Sequence, residues 1–145
     1  MIVALDEIPR AAEPCDPSLD WRPVRDHLAI SAFGVNAFLG AAEGDRVVEL
    51  HDESEVGHEE LYVVVRGAAR FAIDGEQHDV PAGSVVLVSP GSTREAFATA
   101  PDTAVLVIGG APGKPFAVSA WEARQLELSR DRPKIADETP RADPG

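Results

Sequence analysis

The residues with chemical potential crowd into the middle of the chain, and the familiar motifs among them fail on inspection. His58-Glu59-Glu60-Leu61-Tyr62 begins like a helical zinc-protease signature, but Tyr62 stands where a second histidine is required. The segment also runs into a strand pattern rather than a helix. Gly113-Lys114 resembles the end of a phosphate-binding loop, yet Ile108 occupies the first glycine position and Pro115 replaces the Ser or Thr. There is no G-x-S-x-G elbow, and Cys15 in a proline-rich lead-in is a poor nucleophile. Hydrolase and nucleotide-binding readings fall away. What remains is carboxylate and imidazole. Between Glu43 and Glu60 lie eight acidic residues (Glu43, Asp45, Glu49, Asp52, Glu53, Glu55, Glu59 and Glu60) against Arg46 alone, a local charge of −7, with His51 and His58 among them. The plain interpretation is a solvated acidic loop that aids solubility.

The whole chain shares that bias. It has 145 residues, enough for one compact domain, and 44% are hydrophobic, enough for a core. Thirteen basic against twenty-five acidic residues give a net charge of −12. Nucleic acid and anionic membrane surfaces are therefore poor partners, since both demand surplus Lys and Arg. One cysteine excludes an intrachain disulfide framework and a multi-cysteine zinc site. No apolar run approaches about eighteen residues, and the N-terminus lacks a secretory pattern. The expectation is a cytoplasmic domain.

The elements that must position the acids and histidines read as strands. Residues 1–27 are punctuated by Pro9, Pro14, Pro17 and Pro23, which resist helix and mark an N-terminal extension. From Leu28 onward short apolar or alternating runs follow: LAISAFG, VNAFL, RVVEL, LYVVV, ARFAI, QHDV, VVLVS, EAFAT and TAVLVIG. Turn residues separate many of them, and Asp74-Gly75 is the strongest hairpin signal because both positions tolerate positive φ. This spacing predicts an antiparallel sandwich or barrel over residues 28–118. Ser119 with Glu122 reads as a capping box opening a short helix over 119–129, with Trp121 and Leu128 able to share its buried face. Residues 130–145, with three prolines and little apolar material, read as a mobile tail.

Residues 46–109 resemble the cupin superfamily, whose first motif is G-x5-H-x-H-x3-4-E-x6-G and whose second is G-x5-P-x-G-x2-H-x3-N. Glu60 precedes Gly67 by the required six residues, LYVVVR. The Asp74-Gly75 hairpin and the Pro81-Ala82-Gly83 turn stand where that family places them. Gly83-SVVLV-Ser89-Pro90-Gly91-Ser92-Thr93-Arg94 fits the second motif in length. Three positions depart from it: Ser89 replaces the proline, Arg94 the metal-binding histidine and Ala98 the asparagine. In the first motif, family spacing counted back from Glu60 puts Glu53 and Glu55, or Ser54 and Val56, at the histidine positions. A loop longer by two or three residues instead makes His51-Asp52-Glu53 the H-x-H equivalent. Strand alternation supports that alignment by placing 47, 49, 51 and 53 on one face.

The resemblance implies an all-β antiparallel barrel or jelly roll of the cupin type, with a short C-terminal helix and a cavity for a small molecule. His51, Glu53 and Glu60, with His58 as a possible fourth, are the implied ligands for one divalent transition metal (Fe, Mn, Ni or Zn), if any is bound. Arg94 cannot coordinate. It would pair with Glu53 or Glu60, or bind an anionic ligand. Arg94, Tyr62 and Glu60 are the expected ligand-binding set, although a core position is the ordinary fate of Tyr62 and an exposed one that of His78. The leading expectation is a small-molecule-binding protein with an altered metal site and a possibly anionic ligand. The alternatives are a metal-dependent dioxygenase, isomerase or lyase using His51, Glu53 and Glu60, and a non-catalytic interaction or assembly protein. No residue is assigned a catalytic role. Pairing through barrel edges makes a homodimer the expected assembly.

Overall fold

The computed structural model describes residues 1–11 and 16–131. Cys15 and the tail from residue 132 lie outside that range. Among the described residues nine strands form two sheets: β1 (Asp20–Arg22), β2 (Gly34–Gly40), β3 (Arg46–His51), β4 (Glu59–Arg66), β5 (Ala68–Ile73), β6 (Glu76–Pro81), β7 (Val85–Val88), β8 (Arg94–Ala98) and β9 (Thr103–Gly110). One sheet has the order β1-β2-β9-β4-β7 and the other β3-β8-β5-β6. Every pairing is antiparallel. The sheets do not close into a barrel but pack as a jelly-roll sandwich. Inward side chains of both meet in one core that includes Val48, Tyr62, Val64, Phe71, Val88 and Val105. The Asp74-Gly75 turn joins β5 to β6 with φ of 49° and 83°, the conformation its sequence favours.

Three local departures have physical causes. The run LAISAFG is not a strand. Pro23 precedes a single helical turn, α1 (Val24–Leu28), which Ala29 ends in the left-handed region, so pairing begins only at Gly34. A proline just ahead of the first turn loses no helical hydrogen bond, which is why the segment tolerates it. The residues ahead of Leu28 also join the sandwich. Trp21 on β1 pairs with Phe38, while Ile8 and Val24 cover Val35 and Ala37 on the outer face of the larger sheet.

The second departure lies in β3. Its register against β8 runs Arg46↔Phe97, Val48↔Ala96 and His51↔Arg94, so two bulges each add a residue to β3. Val47 and Val48 are both buried, which simple alternation forbids. Glu53 lies beyond the strand, so it cannot owe its direction to strand parity.

The third concerns the C-terminal helix, α2 (Ala120–Asp131), which Ser119 opens by accepting the Glu122 N–H at 3.1 Å. Trp121 and Leu128 are not its buried face; they are 38% and 40% exposed. Glu122, Gln125 and Leu126 are buried instead, at i, i+3 and i+4. Leu126 packs on Trp21, and the Arg25 guanidinium draws Glu122 inward with a 2.7 Å ion pair. Among the described residues no helix is long and apolar enough to cross a membrane.

Candidate functional site

A cavity of about 400 Å³ opens between the sheets at the end nearest α2. His51 reaches it from the last position of β3, Glu53 from the following turn, and Glu60 and Tyr62 from the inward positions of β4. His58 lines it from the loop before β4. Two paired glycines make room in the wall. Gly34 and Gly109 face each other across β2 and β9. A Cβ on Gly109 would stand 3.1 Å from Glu60 Cγ, and one on Gly34 would stand 3.0 Å from the Phe116 ring. Both glycines are needed for space, not for φ.

His51, Glu53 and Glu60 converge. His51 Nε2 lies 3.4 Å from Glu53 Oε1 and 3.7 Å from Glu60 Oε2. Its Nδ1 lies 2.8 Å from the Glu49 carbonyl. A carbonyl only accepts, so Nδ1 carries a proton and Nε2 faces the carboxylates. His58 Nδ1 is 3.7 Å from the other oxygen of Glu53. One ligand atom from each of His51, Glu53 and Glu60 fits within a 4.8 Å group, the only such metal-sized group among the described residues. Ligand atoms around about a 2.1 Å bond length stand roughly 3–3.4 Å apart, so a divalent ion would have to draw this 4.8 Å group together by as much as about 1.4 Å. The anchored Nδ1 is also how metal-bound histidines are commonly oriented.

The protonation states follow from this geometry. Burial would depress the His51 imidazolium, but hydrogen bonding to Glu53, Glu60 and the Glu49 carbonyl outweighs it and raises its pKa to about 10. Burial likewise opposes charge on Glu60, yet His51, the Tyr62 hydroxyl and the Arg94 charge hold its pKa below the ordinary value. Burial first, and then the neighbouring Glu60 carboxylate, push the Tyr62 phenol well above its usual range. Tyr62 donates its hydroxyl to Glu60 Oε2 and packs its ring edge-on to Phe71. It serves both core and cavity.

Arg94 is placed differently from the expectation that it lines the cavity. It is fully buried, outside the cavity lining. Nη1 donates to the Ser92 carbonyl at 2.8 Å and Nη2 to the Ser89 carbonyl at 3.5 Å, while Nε is 3.5 Å from Glu60 Oε2. Its fork ties down the Ser89–Ser92 turn, so the cation stands behind Glu60. His78 is exposed, as are Glu55 and Glu59.

Several lining residues escape the motif pattern. Asn36 and Phe38 come from inward positions of β2, Phe116 from the segment after β9, and Trp121 from α2. Only the inward parity of β2 could have signalled the first two. Phe116 and Trp121 depend on how the C-terminal segment folds back.

Comparison with known proteins agrees with the architecture. The family description "AraC-like ligand binding domain" matches residues 43–102. No curated protein sequence matches the chain. A predicted oxalate decarboxylase from Thermotoga maritima superposes with a TM-score of 0.60 at 19% identity, covering 75% of this chain and 97% of its own. A putative sugar phosphate isomerase from Acidithiobacillus ferrooxidans gives 0.59 at 17% identity, covering 74% and 73%. A cupin protein from Bacteroides fragilis gives 0.57 at 23% identity, covering 82% and 88%. At these identities the structural likenesses speak for the fold alone. With the two-sheet jelly roll and the Glu60–Gly67 framework, the chain has a cupin-type fold, and its residues 43–102 are similar to the AraC-like ligand binding domain.

Proposed function

We propose that this cupin-type protein binds a small molecule in its cavity beside a divalent transition metal held by His51, Glu53 and Glu60. The observation that carries this reading is the approach of His51 Nε2 to both carboxylates at 3.4 and 3.7 Å, with Nδ1 fixed on the Glu49 carbonyl. The same three side chains that pair as an imidazolium with two carboxylates would, on losing the Nε2 proton, present three ligand atoms to one ion. One histidine with two carboxylates fits iron, manganese or zinc. When bound, such an ion would supply a Lewis-acidic contact for a ligand oxygen or nitrogen. His58 would stand at the rim, and Arg94 would balance Glu60 from behind. The AraC-like family match supports a ligand-binding role.

The test is metal content of the full chain purified without chelator. About one ion per chain, falling below a tenth in His51→Ala and Glu60→Gln, is expected. Negligible metal, together with no thermal stabilisation by added Fe²⁺, Mn²⁺ or Zn²⁺, would overturn the reading.

The same proposal includes a homodimer. Edge strand β7 exposes Val85 at 61% and Leu87 at 67%, and neighbouring β4 exposes Val65 at 44%. A second copy meeting this face would cover both the apolar stripe and the open edge. Leu87→Glu is then expected to shift the sedimenting species from dimer to monomer. A wild-type monomer at high micromolar concentration would refute it.

A further inference from the structure

We propose that residues 111–131 form a lid that detaches while both sheets stay folded, and that this opening controls access to the cavity. The segment supplies one wall, since Phe116, Ser119, Ala120, Trp121 and Glu122 all line the cavity. Its hold on the body is thin. Between Pro112 and Val118 only Phe116 is part-buried, set against the space that Gly34 leaves open. Among the described residues, the backbone of this stretch bonds only within itself. The Lys114 N–H donates to the Ala111 carbonyl at 3.2 Å and the Ala123 N–H to the Ser119 carbonyl at 3.0 Å. With no ladder partner, the strap can leave without breaking a sheet.

The seat of α2 is no firmer. Of the described residues it buries, Glu122 and Gln125 are polar and Leu126 alone is apolar. Gln125 Oε1 is buried without a hydrogen-bond partner, and so is Nε1 of Trp21, the side chain under Leu126. Two unmet polar atoms weigh against docking. On the other side of the balance stand the Arg25–Glu122 and Arg130–Asp26 pairs and the Trp121 ring, 5.3 Å from that of Trp21. Both ion pairs run to α1, so one helical turn grips the lid at two points. An occupant touching Phe116 or Trp121 would meet them only with the lid docked, so binding would favour closure. That link rests on the small-molecule reading above; the opening itself does not.

Amide hydrogen exchange of the metal-free full chain, without added ligand, tests the opening apart from that reading. A helix as short as α2 is marginal once undocked, so its amides report detachment. They are expected to exchange at least about a hundredfold faster than those of β4 and β9. Arg25→Ala is expected to speed exchange through the last turn of α2 by at least about tenfold, with β4 and β9 unchanged. Leu126→Ala should do the same and covers the case where Arg25→Ala misfolds. Gly67→Ala, strained against Thr103 at the far end of β9 from Gly110, should leave α2 exchange at the wild-type rate. Labelling with diethyl pyrocarbonate reads access to the cavity. His58 lines it with a side chain only 15% exposed, and its ring lies 6.0 Å from that of Phe116. It should react at least about fivefold faster in Arg25→Ala, whereas the exposed His78 should not change. Neither Arg25 nor Leu126 lines the cavity, so the effect must pass through the lid. Exchange of α2 at the rate of the sheets, or acceleration confined to its first turn, would overturn the proposal. So would equal acceleration by Gly67→Ala and Arg25→Ala, or His58 labelling unchanged in Arg25→Ala. With neither metal nor ligand present, such a failure leaves the binding reading standing.

Discussion

Arg94 stands directly across the β3–β8 ladder from His51, and both cations aim at Glu60 Oε2, at 3.5 and 3.7 Å. Arg94 occupies the place where the cupin pattern has a metal-binding histidine. Its buried charge therefore both neutralises Glu60 and opposes a divalent ion nearby. Replacing it by a neutral ligand should relieve the second effect. Arg94→His is expected to tighten Mn²⁺ or Zn²⁺ binding at least about tenfold, or roughly 1.4 kcal/mol. Arg94→Leu, which removes the counter-charge and supplies no ligand, should instead destabilise the metal-free fold by about 3 kcal/mol. Isothermal titration with each metal and urea unfolding measure the two effects. Equal metal affinity in wild type and Arg94→His would show that the guanidinium does not control the site.

A proton and the proposed metal would compete for His51 Nε2, and pH should reveal it. The folded pKa of about 10 lies above the unfolded value near 6.5. The metal-free protein thus has this contribution in full below about pH 6.5 and loses it as pH rises toward 10. The groups facing the ring are Glu53 and Glu60, with Arg94 beside it on β8. Glu60 works in the opposite sense. Its pKa is lowered, so its contribution is present above the ordinary carboxylate range and lost as pH falls through the folded value. After chelation, the melting temperature is expected to fall by at least about 5 °C between pH 7 and 10. His51→Gln should flatten that limb, and an unchanged limb in the variant would assign it to another group.

Gly67 explains why the Glu60–Gly67 spacing is a framework signal. Its φ is +68°, and a Cβ there would collide with Thr103. Thr103 Oγ1 in turn accepts from the Ala68 N–H at 3.2 Å and lies 2.8 Å from the Ala100 carbonyl, joining β5 to the start of β9. Gly67→Ala combines left-handed backbone strain, about 1–2 kcal/mol, with overpacking of about 1–3 kcal/mol. A loss of about 3 kcal/mol in chemical denaturation is expected, whereas Gly75→Ala, with open space around its Cβ, should lose only the backbone part. Equal losses would mean that Thr103 yields freely.

These residues also mark what the sequence can disclose. The Asp74-Gly75 turn and Gly67 were legible because each meets a local backbone demand. Glu60 was legible through its distance from Gly67. His51 and Glu53 are paired by the resemblance of His51-Asp52-Glu53 to the H-x-H pattern, and the strand alternation that supports the pairing fails, because two bulges in β3 break it and Glu53 lies beyond the strand. They meet because the turn after β3 returns, with the Glu53 N–H donating to the Pro90 carbonyl at 2.8 Å. Arg94 was legible as a charge near Glu60 but not as a buried one, because its depth depends on carbonyls of the Ser89–Ser92 turn. The cavity wall from Phe116 to Glu122 was invisible, since a contact spanning 97 residues places it.

That contact, Arg25 Nε to Glu122 Oε1 at 2.7 Å, holds the start of α2 against the cavity. Both side chains are mostly buried, 12% and 7% exposed, so solvent screens the pair little. Removing one partner leaves the other charge buried. Arg25→Ala is expected to cost about 3 kcal/mol, whereas the double change Arg25→Met with Glu122→Leu should recover much of that loss. The helix start should loosen in the single variant, because Leu126 on Trp21 and the Arg130–Asp26 pair then hold it without the inner contact. Limited proteolysis with mass spectrometry should therefore show faster cleavage between residues 111 and 124 in Arg25→Ala. The double variant should cleave at a rate near wild type. If single and double variants unfold and cleave alike, the pair is not what seats the helix, and packing of Leu126 on Trp21 carries that role.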